Sequence, residues 1–301
     1  MTDRALCVVR AGALTCVQDE GRHGFAHLGV PRSGALDLPA SRLANRLAHN
    51  QPGAAVLETT LNGCAVRPRC AVTVAVTGAP CPVTVDGRPV PWGAAVRVPA
   101  GAVLNVGAAV RGVRSYVAFG GGIEVEPVLG SRSTDLLSGL GPAPLGDGHV
   151  LPLGRLVGRY ARVDAAPAPG PPSELVLRTL PGPRLDWFTP DALATLATGR
   201  YRVSSASNRI GLRTEGPALR RAVHGELPSE GMVWGAVQVP PDGRPVVFLA
   251  DHPTTGGYPV VGVVAEPDLA AAAQAAPGTP VRFVPVRGRL ASVRKEPAQA
   301  P

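Results

Sequence analysis

The sequence predicts a mainly β fold with a few short helices. Three observations carry this. Glycine (37) and proline (33) approach a quarter of the 301 residues and lie between short apolar runs, the spacing of many strands joined by turns. Several of those runs alternate at period two. An Asp-Gly pair, Asp86-Gly87, separates two of them and tolerates the positive φ of a tight hairpin.

The elements follow in chain order. Asp37 is placed to cap a helix over 38–49, with Leu43 and Leu47 on one face. Residues 70–77 (CAVTVAVT) alternate as a strand, and 83–90 read as the hairpin. Residues 112–119 (GVRSYVAF) and 245–250 (PVVFLA) read as buried strands. Thr189, Pro190 and Asp191 supply a cap, a first-turn proline and an acid for a helix ending near 198. A third helix, over 267–276, is alanine-rich and closed by Pro277-Gly278. Asp-Gly-Arg-Pro-Val occurs at 86–90 and again at 242–246, either the trace of a duplication or a coincidence of turn chemistry.

Residues 165–173 (AAPAPGPPS) suit neither a ladder nor a helix and read as a semi-rigid linker. It divides an N-terminal half, 1–164, from a C-terminal half, 174–290. Residues 291–301 read as a loose tail.

Charge narrows the chemistry. The net charge of +8 rests on arginine, because Lys295 is the only lysine among 30 basic residues. A Walker-type phosphate loop needs Gly-Lys-Ser/Thr, and none is present. A Schiff base or an attached biotin needs a lysine in an ordered element, whereas Lys295 lies in the tail. The arginines are scattered and aromatics are 4%, so nucleic-acid binding is not expected. Five cysteines without C-x-x-C spacing read as reduced core residues rather than a zinc site or disulfide framework. His23 and His27 are four apart, but flanking glycines argue against the helix a metal site would need, and no metal is expected. The N-terminal residues lack an apolar signal segment and no run is long enough to span a bilayer. A cytoplasmic protein is expected, with no membrane partner.

Candidate site residues are polar groups set among glycines, where backbone amides can approach a ligand. The first segment holds Gln18, Asp19, Glu20, Arg22 and His23, followed by Ser33 to Asp37. The second runs from Arg114-Ser115-Tyr116 through Gly120-Gly121-Gly122 to Ser131–Asp135, and the third holds Ser204 to Gly211 with Asn208-Arg209. The fourth is Gln238 with Asp251-His252-Pro253-Thr254-Thr255-Gly256-Gly257-Tyr258. It follows an apolar strand and concentrates a carboxylate, hydroxyls and amides suited to an oxyanion, a phosphate or a small amide. The plainer reading is a loop whose Asp251 and threonines satisfy their own backbone. Asp19 and Arg22 read either as site residues or as a local ion pair. Asn208-Arg209 read either as a carboxylate clamp or as a turn with a surface salt bridge. The triple glycine is no dinucleotide fingerprint, and no G-x-S-x-G elbow is present.

In this order the segments resemble one family closely: the C component of bacterial 5-oxoprolinase, also described as KipA-like or allophanate-hydrolase-subunit-2-like. They are equally similar to the carboxyltransferase domain of urea amidolyase. The matching pieces are TCVQDEGRHGF from Thr15, GVPRSGALD from Gly29, ANRLAHN from Ala44, AVLETTLNG from Ala55 and VTGAP from Val76. They continue with RSYVAFGGGIEVEPVLGSRSTD from Arg114, LPGPRLDWF from Leu180, SSASNRIGLR from Ser204, SEGMVWGAVQVPPDGRPVVFLAD from Ser229 and TTGGYP from Thr254. The resemblance implies two cyclophilin-like β-barrel halves. It implies two partner proteins, one KipI-like and one LamB/YcsF-like. The implied reaction is ATP-dependent opening of the 5-oxoproline lactam to L-glutamate, with ATP and magnesium. Biotin would not be attached to this chain.

Carried onto this sequence, the family pattern implies a site of Asp251, Gln238 and Asn208 as catalytic residues. Gln18, Asp19, Arg22, Asp37, Arg209, Thr254, Thr255, Gly256, Gly257 and Tyr258 would hold substrate or nucleotide. The resemblance implies a basic residue after TTGGYP in many relatives, where this chain has Val260. A biotin-dependent carboxyltransferase acting on urea or a related small amide is the alternative enzyme. A non-enzymatic regulator that binds a KipI-like protein is the third reading.

Overall fold

A computed structural model describes residues 4–155, 170–225 and 227–286. The part of the linker at 165–169 and the tail at 291–301 lie outside the described residues. Gly170 to Ser173 carry neither strand nor helix.

The N-terminal half is two antiparallel sheets around one core. The six-stranded sheet runs Val150–Pro152, Ala5–Arg10, Cys64–Pro68, Leu104–Val106, Val83–Val85, Arg88–Val90. The five-stranded sheet runs Leu14–Gln18, Val56–Thr60, Arg114–Phe119, Val72–Gly78, Ala95–Val98. Leu6, Val66 and Leu104 from the first meet Val17, Leu57, Val74 and Val117 from the second. Strand residues alternate faces, so Val56, Tyr116 and Ala118 point the other way, onto helix α1 (Leu38–Leu47) through Ala44 and Leu47. Both faces of the five-stranded sheet are therefore covered, and Arg114–Phe119 is buried at every position.

The C-terminal half closes a seven-stranded barrel. Its order is Leu175–Pro181, Val260–Val264, Ala236–Gln238, Val246–Phe248, Gly211–Glu215, Tyr201–Val203, Pro280–Pro285. The ring closes by parallel pairing of its first and last strands, Leu175 opposite Val281 through Thr179 opposite Pro285. Helices α2 (Pro190–Thr198) and α3 (Glu266–Gln274) pack Ala192, Leu196, Leu269 and Ala272 into the barrel core. Leu36, from the N-terminal half, joins that core and begins the seam between the halves.

Local chemistry explains most boundaries. The side chain of Asp37 accepts from Ala40 N at 3.0 Å, the cap expected for α1. That helix ends at Leu47, short of 49, because His49 takes a φ of 62°. The 83–90 hairpin turns on Asp86 (φ 48°) and Gly87 (φ 76°), the positive pair a two-residue turn requires. Thr189 does not cap α2: its hydroxyl donates to Arg220 O at 3.2 Å instead. Helix α3 begins one residue earlier and ends two residues sooner than its alanine pattern predicts, with Ala275 already extended. The second Asp-Gly-Arg-Pro-Val copy ends the longer connection that follows the strand Ala236–Gln238, and its Val246 opens the strand Val246–Phe248.

Candidate functional site at the seam between the halves

The seam is built on one carboxylate. Glu58 sits mid-strand in Val56–Thr60, on the outward face of the five-stranded sheet and opposite Tyr116 in register. Tyr116 donates its hydroxyl to Glu58 Oε2 at 2.9 Å and accepts from Asp37 N at 2.7 Å. The same Oε2 accepts Leu36 N at 3.0 Å. Glu58 Oε1 accepts from Nη1 of Arg209, which reaches across from the barrel half. Arg209 then grips Asp251 bidentately, with Nε to Oδ2 and Nη2 to Oδ1 both at 2.9 Å. Nη2 also donates to Gly34 O at 2.7 Å.

Asp251 in turn ties the barrel to the N-terminal half. Ser33 Oγ lies 2.8 Å from its Oδ1, and Leu136 N donates to Oδ2 at 3.1 Å. Ser33 holds a left-handed φ of 53°, which places its amide on Ala250 O at 3.0 Å. Arg209 is 1% exposed and Asp251 0%. Burial pulls the Arg209 guanidinium down, but Glu58 and Asp251 outweigh it and hold it well above its ordinary value. Arg114 completes the group: it donates to Ala273 O on α3 and stands 3.7 Å from Glu58 Oε1.

A second polar knot lies around residues 131–135. Asp19 accepts from Ser131 Oγ (2.6 Å), Ser133 Oγ (2.5 Å), Arg132 N (2.6 Å) and Gly21 N (2.8 Å). Arg22 donates to the carbonyls of Val128 (3.1 Å) and Ser133. Among the described residues Asp19 and Arg22 form no ion pair with each other; each organises this loop separately. Gln18 donates to Thr134 O at 2.9 Å. Gln18 Oε1, Arg22 Nη1 and Thr134 Oγ1 are buried without a partner among the described residues.

The fourth segment separates from Asp251. Thr255–Gly256 pairs with Glu230–Gly231 as a two-stranded ladder, and Met232 N donates to Thr254 O at 2.8 Å. Gln238 lies buried below, its Nε2 on Tyr258 O at 3.3 Å. Thr255 and Tyr258 are exposed, and Arg221 Cζ stands 5.9 Å from the Tyr258 ring centroid. Val260 is a buried barrel residue, so its side chain faces core rather than ligand. His252 stacks on Phe248 at 5.8 Å with its Nδ1 2.7 Å from Pro253 O, and burial lowers its pKa.

The structure thus brings Asp251 and Arg209 together, with Gln18, Asp19, Arg22 and Asp37 in neighbouring buried networks. It does not bring Asn208, Gln238 or Thr254 to Tyr258 into hydrogen-bond contact with Asp251. Asn208 is exposed and turns its Oδ1 onto Ile210 N (2.9 Å) and Gly211 N (3.2 Å), so the carboxylate clamp with Arg209 is not formed. Glu58 and Gln274 escape a reading of the sequence that looks for polar groups among glycines. Glu58 is a lone acid inside an apolar strand, and Gln274 is the one amide closing an alanine run; both signals are visible in the sequence.

Among the described residues, three hollows of about 170 Å³ or more open along the seam. One of about 330 Å³ lies between α1, α3 and Pro171-Pro172, with Asp37 and Gln274 in its wall. One of about 260 Å³ adjoins it at Pro39, Pro267 and Ala270 and reaches Arg42, Glu266 and Trp234. A third, of about 170 Å³, is lined by Thr60, Arg114, Ser205, Ser207 and Asn208. Two of the residues the resemblance assigns to substrate or nucleotide are largely occupied by protein acceptors, although Arg22 Nη1 has no partner among the described residues. Arg209 is fully engaged by Glu58, Asp251 and Gly34 O, and Arg22 is buried on two carbonyls. Among the described residues no group of three His, Cys, Asp or Glu is arranged to hold a metal ion.

Comparison with known proteins gives a consistent set. Residues 28–285 match the family model "Carboxyltransferase domain, subdomain A and B". The chain is 40% identical over 285 residues to the C component of 5-oxoprolinase from Escherichia coli K12, covering 93% of this chain and 90% of that protein. It is 31% identical to urea amidolyase of Saccharomyces cerevisiae over 94% of this chain but 17% of that protein. Among solved structures, TTHA0988 matches with a TM-score of 0.84 at 38% identity, over 93% of this chain and 56% of that one. Kluyveromyces lactis urea amidolyase matches with a TM-score of 0.87 at 30% identity, over 94% of this chain and 19% of that one.

Proposed function

The chain belongs to the carboxyltransferase-domain family, subdomains A and B, and from that premise we propose that it is the C-type component of an ATP-dependent 5-oxoprolinase. One observation carries the reading: 40% identity to the C component of 5-oxoprolinase extends over nine-tenths of both chains, whereas the urea amidolyase match occupies 17% of that protein. The reaction is opening of the 5-oxoproline lactam to L-glutamate in a cytoplasmic complex with KipI-like and LamB/YcsF-like proteins. A lactam amide is stabilised by resonance, and coupling to ATP supplies the driving force. We assign nucleotide handling to those partners, because the chain has no Walker-type loop and Arg209 is held by Glu58, Asp251 and Gly34 O. This chain contributes a rigid seam, held by Arg209, Glu58 and Asp251, with hollows beside it that admit a small ring.

The test is glutamate release from 5-oxoproline with ATP, using the chain purified together with both partners. Release is expected; none with the complete set overturns the proposal. The family description favours a second reading, one component of a biotin-dependent carboxyltransferase that acts on urea or a related small amide. Avidin separates the two, since it stops a reaction fed by a biotin carrier and leaves a lactamase untouched. A KipI-binding regulator without chemistry of its own would support no turnover under either condition.

A further inference from the structure

The largest of the three seam hollows has the character of a small-molecule site. Its volume of about 330 Å³ falls within the range of roughly 300–1,000 Å³ usual for ligand pockets. Its wall is mostly apolar, with Leu43 of α1 on one side, Pro267 and Ala270 of α3 on the other, and Pro171 across the end. Two polar side chains interrupt that wall, Asp37 and Gln274.

Gln274 has no capacity to spare. Its Oε1 accepts Val113 N (3.1 Å) and Arg114 N (3.0 Å), and its Nε2 donates to Asp37 Oδ2 and Arg114 O, both at 2.9 Å. It acts as a brace between α3 and the five-stranded sheet. Asp37 is different. Each of its oxygens accepts one bond, Oδ1 from Ala40 N at 3.0 Å and Oδ2 from Gln274 at 2.9 Å. A carboxylate has about four acceptor positions, so each oxygen keeps one. Among the described residues Asp37 is also the only ionisable group in this wall, and Gln274 and the α1 amide hold it in a single orientation.

We propose that this hollow is the lactam-binding pocket of the complex, in which the carboxyl of Asp37 hydrogen-bonds the amide of a compact five- or six-membered ring packed between α1 and α3. This rests on the reading of the chain as part of a 5-oxoprolinase. The apolar walls suit ring methylenes, and one carboxyl suits one cyclic amide edge. Burial pushes the Asp37 carboxyl up from its ordinary value, against its bonds to Gln274 and Ala40. One of its two free acceptor positions takes the amide N–H.

Ligand-observed NMR on the full chain tests this, with 2-pyrrolidinone as probe and cyclopentanone as the ring lacking an amide. Two variants are compared. Ala270→Trp fills the hollow from a half-buried helical position and leaves Asp37 in place. Asp37→Asn keeps a capping residue on α1 but removes the carboxyl. Wild type is expected to bind the lactam more tightly than the ketone. Ala270→Trp is expected to abolish lactam binding, and Asp37→Asn to weaken it about tenfold, the scale of one strong hydrogen bond. Unchanged lactam binding in folded Ala270→Trp overturns the proposal, as does no lactam binding to wild type at millimolar concentration. Two combined outcomes separate the pocket from the reaction. Normal glutamate release by a complex carrying Ala270→Trp overturns the pocket and leaves the reaction standing. Lactam binding blocked by Ala270→Trp, with no release from the complete wild-type complex, overturns the reaction and supports the pocket.

Discussion

Arg209 and Asp251 face each other across two parallel hydrogen bonds of 2.9 Å, and neither is exposed by more than 1%. Arg209 is also the partner of Glu58 from the other half of the chain. A guanidinium buried between two carboxylates tolerates the loss of neither, because the remaining charges stay desolvated. Asp251→Ala is expected to destabilise the fold by about 3–5 kcal/mol, read as a lowered urea midpoint. Asn208→Ala removes only a turn bond at an exposed position, and about 1 kcal/mol or less is expected. Glu58→Ala combined with Asp251→Ala should be non-additive, since both single changes strand the same arginine.

His252 and Asp37 pull the pH profile of stability in different ranges. Burial lowers the His252 pKa, so between its folded value and 6.5 the unfolded chain binds a proton that the folded chain does not. Stability from this group is present above 6.5 and lost as pH falls below it. Burial raises the Asp37 pKa from 3.8, so its contribution is present below 3.8 and lost as pH rises through the folded value. His252→Gln should flatten the mildly acidic limb of a melting-temperature profile, and Asp37→Asn should remove the decline above pH 3.8. Unchanged profiles in both variants would contradict these assignments.

The cysteines should report their surroundings to a thiol reagent. Burial pushes Cys16 and Cys64 up to about 12, leaving almost no thiolate at neutral pH. Cys7 and Cys70 are half-buried. Native protein is expected to label at Cys7 and Cys70 first, with Cys16 and Cys64 reacting only on unfolding, as read by mass spectrometry of labelled peptides.

Gly141 and Gly139 share a left-handed backbone but not the same surroundings. A Cβ on Gly141 (φ +81°) would meet Ser133 O at 2.1 Å, in the loop that carries the Arg22 and Asp19 contacts. A Cβ on Gly139 (φ +74°) meets nothing within 4 Å. Gly139→Ala should cost about 1–2 kcal/mol for the backbone alone, and Gly141→Ala more, since Ser133 must also shift. Equal thermal shifts in the two variants would argue against this packing.

Many of these features are legible locally. The Asp37 cap, the Asp86-Gly87 turn and the period-two strands depend on residues within a few positions of one another, so composition and spacing reveal them. The polar segments around 18–22, 33–37, 131–135 and 251–258 stand out for the same reason. Their grouping does not. Asp251 lies within seven residues of Tyr258, yet one is sealed against Arg209 and the other exposed beside Arg221. Thr189 has the chemistry of a cap and bonds Arg220 instead, because a distant carbonyl offers a partner the local chain does not.

Order and composition along the chain are enough to specify the β-rich class, the hairpin chemistry, the dependence on arginine rather than lysine, and the family through ten ordered motifs. Which polar residues share a site is settled only in three dimensions. Glu58 meets Arg209 from 151 positions away, and Gln274 meets Asp37 from 237. No local propensity encodes such a pair. It exists because sheet register points Glu58 outward, barrel closure brings Asp251 and Arg209 to the same face, and buried charges left in low dielectric must find each other.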